Sequence, residues 1–135
     1  MKALFLDTSG WLAAHIPTEA GHAAASARFA TLVAGGHTPL TTSLVVAEMH
    51  PFVVRRSGIR SGQRFLESAL GGAIHVVYPD AELIRAAFAG WIARYGDQRF
   101  SLCDAVSFEV MRRERITKAL AFDRHFAAAG FDIAS

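Results

Sequence analysis

At 135 residues, 52% of them apolar, the chain has room for one domain spanning 1–135 around one core. It has no apolar run near the ~20 residues of a membrane span, an opening apolar stretch too short for a signal peptide, and one cysteine, Cys103, so a disulfide framework and a cysteine-based zinc cluster are excluded and a soluble cytoplasmic protein is expected. Twelve of the fourteen basic residues behind the net charge of +2 are arginine, whose planar fork suits phosphate, although composition alone fits ordinary solvated faces better.

In chain order, the apolar run Ala3–Leu6 predicts a buried strand, and Thr8 or Ser9 caps a short helix that stops before Pro17. An alanine-rich helix follows from about Glu19 to Val33, with Gly35-Gly36 past its end. Pro39–Thr42 is a second strand, and Ser43 caps a helix reaching about Arg56. Ile59–Leu70 is a further helix, closed by Gly71-Gly72, and Ile74–Tyr78 a third strand. Asp80 caps a helix to Tyr95, and after the loop Gly96–Phe100 Ser101 opens another to about Ile116. Ala119–Phe122 is a fourth strand, and Phe131–Ile133 adds a fifth after a short helix. Continuously apolar strands separated by helices predict an α/β fold whose central parallel sheet of four or five strands is covered on both faces.

Two strands end alike, each delivering an acid where it leaves the core: Asp7 after Leu6 and Asp123 after Phe122. Ligands of open parallel sheets bind beyond the carboxyl ends of the strands, although either residue can equally cap the helix that follows. Glu48 shares a helical stripe with Leu44, Val45 and Phe52, so it is expected on the core-facing side, where an uncompensated charge is costly. Pro51 beside it removes a backbone bond and kinks the helix, and the structural alternative is a pairing with Arg55 or Arg56. In Ser101-Leu102-Cys103-Asp104 the acid stands where a capping box places it. Taken together, four carboxylates in one place repel by about 4 kcal/mol per close pair at an effective dielectric near 20. Such a cluster needs protons or a cation. Oxygen ligands without cysteine or paired histidine select Mg²⁺ or Mn²⁺, whose usual work is phosphoryl chemistry. With four of the twelve acids gathered there, the rest of the chain carries +6, a body that attracts a polyanion. The six histidines show no ligand spacing, His125 is expected to pack or face solvent, and Cys103 is expected to be a small buried apolar residue.

Four segments, Phe5-Leu6-Asp7-Thr8-Ser9, Thr42-Ser43-Leu44-Val45-Val46-Ala47-Glu48, Ser101-Leu102-Cys103-Asp104-Ala105-Val106-Ser107-Phe108 and Phe122-Asp123-Arg124-His125-Phe126, resemble PIN-domain ribonucleases in kind and order. Among these the chain is most similar to VapC-like toxins of bacterial toxin–antitoxin pairs. The resemblance implies a three-layer αβα sandwich, a homodimer, RNA hydrolysis with Mg²⁺ or Mn²⁺, and a small antitoxin that blocks the site. By position it makes Asp7, Glu48, Asp104 and Asp123 the catalytic and metal-binding quartet, and Ser9 a hydroxyl able to hold a water or a phosphate. The mechanism expected on this basis has a neighbouring acid such as Asp104 deprotonate the attacking water and leaves 5′-phosphate and 3′-hydroxyl ends. Arg99, Arg112 and Arg124 are candidate phosphate contacts, although for any one of them a surface ion pair such as Glu109–Arg113 is the commoner fate.

Two other classes remain. A phosphatase using Asp7 as nucleophile would want a second aspartate two residues on, where Ser9 stands, together with a later lysine and an acidic pair that are missing. A PIN-like module that binds RNA or protein without cutting would not need the full quartet.

Overall fold

The run Ala3–Leu6 forms β1 at the centre of a parallel sheet, with Leu4, Phe5 and Leu6 fully buried from both sides. The structure, a computed structural model, describes residues 2–134. On one flank of β1 lies β2 (Thr38–Thr42), in register Phe5 to Leu40, and beyond it β3 (His75–Val77). The other flank holds β4 (Lys118–Leu120), in register Leu6 to Leu120, and then β5 (Asp132–Ile133). All five strands are parallel, in the order β3-β2-β1-β4-β5.

Parallel neighbours require crossovers, and these are helical. Between β1 and β2 run α1 (Thr8–His15) and α2 (His22–Ala34), and between β2 and β3 run α3 (Ser43–Ser57) and α4 (Ile59–Leu70). The return to β4 uses α5 (Ala81–Ala87), a π-helical segment (Phe88–Ala93) and α6 (Leu102–Glu114), and α7 (His125–Ala128) leads to β5. The helices pack in two sets, α1 with α2 and α3 with α4, and α6 with α5, the π segment and α7. With the sheet between them these sets make the expected three-layer αβα sandwich. Because the chain moves outward from β1 to β3 and then returns to β4, the strand order reverses between β1 and β4. That is where a crevice opens at the carboxyl ends of such sheets.

Several boundaries differ from expectation for local reasons. The residue before each of the first two expected caps does the capping: the Asp7 side chain accepts from Ser9 N–H, and the Thr42 side chain from Val45 N–H. The second helix begins at His22 rather than Glu19, because Gly21 takes a left-handed conformation (φ 79°). β4 stops at Leu120 rather than Phe122, since the Phe122 N–H donates to a side chain, Ser9 Oγ, at 2.9 Å instead of to a strand. β3 is an edge strand and is only partly buried, unlike the run expected to be covered on both faces. The single helix expected over 80–95 widens into the π segment, which carries the Trp91 indole to 3.2 Å from Glu109 of α6.

Candidate metal centre

The site is assembled from the exits of β1 and β4. Asp7 leaves β1 with an extended backbone, donates its N–H to Leu120 O at 3.2 Å and caps α1. This approach is close because residue 10 has no side chain. A Cβ on Gly10 would stand 2.2 Å from the Leu120 carbonyl oxygen, a backbone atom that cannot step aside. Ser9 then fastens the two exits together, donating its hydroxyl to Asp7 Oδ2 at 2.8 Å and accepting the Phe122 N–H. One residue further on, half-buried Asp123 turns its Oδ1 back to accept the His125 N–H at 3.0 Å.

Asp104 reaches the same place from the other helical layer. It completes the expected capping box, accepting from Ser101 N–H at 3.2 Å while its own N–H donates to Ser101 Oγ at 3.0 Å. The ring of His125, which packs edge-on against Phe100, puts Nδ1 2.9 Å from Asp104 Oδ2. One oxygen each of Asp104 and Asp123 and one ring nitrogen of His125 lie within 4.8 Å of one another. Glu48 comes from α3, and its Oε1 accepts the Thr8 hydroxyl at 2.6 Å. Asp7, Ser9, Glu48, Asp104 and Asp123 thus line one cavity of about 580 Å³, whose less polar side is Leu12, Pro51 and Phe52.

Its electrostatics are unfavourable for a site without a cation. Burial, and after it the charge of Asp123, pushes the Asp7 carboxyl up to about 7, against the pull of the Ser9 hydroxyl. Asp123 is raised as well, by burial first and by Asp104 second. Cys103, half-buried rather than buried, feels the same field. Burial and the nearby charges of Glu48, Asp7 and Asp104 hold its thiol above its ordinary value. Among the described residues no arginine or lysine forms an ion pair with any of the four acids, the only such contact being His125 on Asp104. A hard oxygen donor set carrying uncompensated charge fits a divalent cation.

The structure departs from expectation in how Glu48 faces and in where His125 lies. Glu48 does not lie on the core-facing stripe: Val45, Met49 and Val53 take that side, Leu44 and Phe52 are half-buried, and Glu48 is exposed at the cavity. Nor does it pair with Arg55 or Arg56; Arg56 binds Glu19 instead. Arg112 is committed to Glu109, which also holds Arg113, and neither Arg99, Arg112 nor Arg124 lines the acidic cavity. His125, expected to pack or face solvent, joins the cluster. The Asp-x-His spacing of Asp123 and His125 was the available signal, because a turn that bonds the histidine N–H to the aspartate also swings the ring over the site.

Comparison with known proteins identifies the family. Residues 4–132 match the PIN domain. Over 128 residues the chain is 33% identical to the 23S rRNA-specific endonuclease VapC20 of Mycobacterium tuberculosis, covering 95% of each chain, in two strains of that organism. The crystal structure of that protein, described as a Sarcin-Ricin loop cleaving toxin, superposes with a TM-score of 0.82 over 95% of each chain. FitAcB from Neisseria gonorrhoeae, at 15% identity, shares the fold with a TM-score of 0.65 over 98% of this chain and 96% of that one. The chain belongs to the PIN-domain family and within it is similar to the VapC toxins.

Proposed function

We propose that the chain is a metal-dependent endoribonuclease, the toxin of a toxin–antitoxin pair, acting in the cytoplasm on an RNA of the ribosomal class that its relative cuts. The observation that carries this is the convergence of Asp7, Glu48, Asp104 and Asp123 on one cavity at the switch point, with no arginine or lysine among the described residues paired to them. These four would hold Mg²⁺, with Mn²⁺ as a substitute. When bound, such a cation lowers the pKa of water and offsets charge developing on phosphate oxygens.

The chain's own residues set up the rest. Ser9 and the Asp7 cap fix one wall, so the Asp7 carboxylate cannot swing away from Asp123. His125 and Ser101 both engage Oδ2 of Asp104, which leaves Oδ1 as the oxygen able to take a proton from the attacking water. Hydrolysis by this route leaves 5′-phosphate and 3′-hydroxyl ends. The partner is a small antitoxin that covers the acidic cavity, which the likeness to a toxin supports, and the toxin is a homodimer, which the apolar-rich composition supports.

Incubating the purified protein with total ribosomal RNA and sequencing the ends tests the proposal. Cleavage should require Mg²⁺ or Mn²⁺, vanish in EDTA and vanish in Asp104→Asn. Undiminished cleavage in EDTA would overturn it.

A further inference from the structure

An acidic cavity repels the polyanion it is meant to cut, so something at its edge must hold the RNA. One helical turn beyond Glu48, on the same face of α3, Phe52 lines the cavity with the acids. The guanidinium of Arg55 lies 4.8 Å from the Phe52 ring centroid and that of Arg56 5.1 Å. The two cations are not equivalent. Arg56 is paired with Glu19. Arg55 is exposed and makes neither an ion pair nor a side-chain hydrogen bond among the described residues, so its five donors and its charge are free. The surroundings do not offset that charge: between Glu48 and Glu67 the chain carries Arg55, Arg56, Arg60 and Arg64 and no acid.

We propose that Phe52 and Arg55 form the subsite for the nucleotide next to the scissile phosphate, the base stacking on the guanidinium–ring pair while Arg55 also contacts a backbone phosphate. A planar cation already seated on an aromatic ring is pre-organised for stacking, and every base has a face to offer it. The subsite takes an unpaired nucleotide, because a base inside an A-form duplex cannot present its face to a side chain. It therefore selects single-stranded or loop RNA at the cut. This inference rests on the metal-dependent RNA cleavage proposed above.

The test uses the intact protein, ribosomal RNA for cleavage, and a fluorescein-labelled single-stranded RNA spanning the mapped cut for binding in EDTA. Variants are Arg55→Ala, Arg55→Lys, Phe52→Leu and, as a control on the far helical layer, the exposed Arg85→Ala. Arg55→Ala should raise KM about tenfold with a much smaller change in kcat. It should also lower the slope of log affinity against log salt by about one. Arg55→Lys should restore the salt slope but not the full affinity, since an ammonium does not stack. An RNA lacking the base beside the cut should bind wild type more weakly and Phe52→Leu no more weakly than the intact RNA. If wild type cleaves, yet Arg55→Ala and Phe52→Leu match Arg85→Ala in KM and the missing base costs nothing, the subsite is wrong and the nuclease stands. Should wild type fail to cleave with Mg²⁺ or Mn²⁺, the nuclease falls and takes the subsite with it, because no scissile phosphate remains for it to adjoin. Thermal melts separate a folding defect from lost binding; if Phe52→Leu does not fold, the Arg55 pair of variants decides alone.

Discussion

Asp7 serves two masters of opposite preference. Capping α1 favours its carboxylate, while burial beside Asp123 favours the protonated acid, and without a cation the balance leaves it at about 7. A carboxyl raised in the folded state stabilises the fold fully below its unfolded value near 3.8, and that contribution is lost as pH rises through 7. In EDTA, wild type should therefore lose ground to Asp7→Asn between pH 4 and 8, ending on the order of 5 °C below it in Tm. Asparagine still caps the helix, and the variant should cut no RNA. A Tm gap independent of pH would show that Asp7 is not the strained acid. Glu48 is exposed, so Glu48→Gln should stay within about 1 kcal/mol of wild type in EDTA. The stabilisation that wild type gains from Mg²⁺ should shrink in this variant, and cleavage should fall about 100-fold; an unchanged response to Mg²⁺ would remove Glu48 from the metal set. The acids themselves could be found in the sequence because two stand at strand ends and one in a capping box. Which way Glu48 faces could not. Apolar residues flank it at 44–46, 49 and 52–54, so the stripe is too wide for periodicity to separate its centre from its edge.

At the scale of elements, the site depends on α1 and β4 touching through Gly10. Gly10→Ala should cost about 1–3 kcal/mol, the range for overpacking, and should push the Asp7 and Asp123 exits apart. RNA cleavage should then fall further than the lost fraction of folded protein explains; a variant with wild-type Tm and activity would show that the contact is slack. The layer opposite α1–α4 is tied differently. Buried Glu109 of α6 accepts from the Trp91 indole and from Arg112 and Arg113, and Arg113 goes on to Glu82 of α5. These donors, Arg112 first, hold the Glu109 carboxyl down at about 2. A depressed carboxyl contributes stability that is present above its unfolded value of 4.5 and is lost as pH falls through 2. Glu109→Gln should cost about 2 kcal/mol at pH 7, less than a fully buried pair because both arginines reach solvent, and the gap from wild type should close between pH 4.5 and 2. Chemical denaturation followed by Trp91 fluorescence would show it, and an equal gap at both ends would contradict it. Elements bounded by strong signals were readable from sequence: Ile59–Leu70, between two glycine-bearing turns, has the bounds its pattern predicts. The π segment was not, because an inserted residue inside a helix leaves apolar spacing and propensity almost unchanged.

For the whole molecule, topology followed from alternation of apolar runs and helical patterns, whereas assembly did not. Val33, Ile59, Leu70, Tyr78 and Phe88 are large apolar side chains left exposed, and no described contact covers them. Light scattering at micromolar concentration should give twice the chain mass, and a monomer there would exclude the dimer. Four acids share the cavity, and one of them, Glu48, stands on the same helix as Arg55 and Arg56.

The bond between Ser9 and Phe122 joins residues 113 positions apart, and β1 finds its partner β4 only across that distance. During synthesis, Asp7 and Glu48 leave the ribosome long before Asp104 and Asp123. On the reading proposed above, a nascent chain therefore displays only half of the acidic quartet. The parallel order of the sheet thus acts as a timer: the four acids come together only when the late strand pairs with the early one.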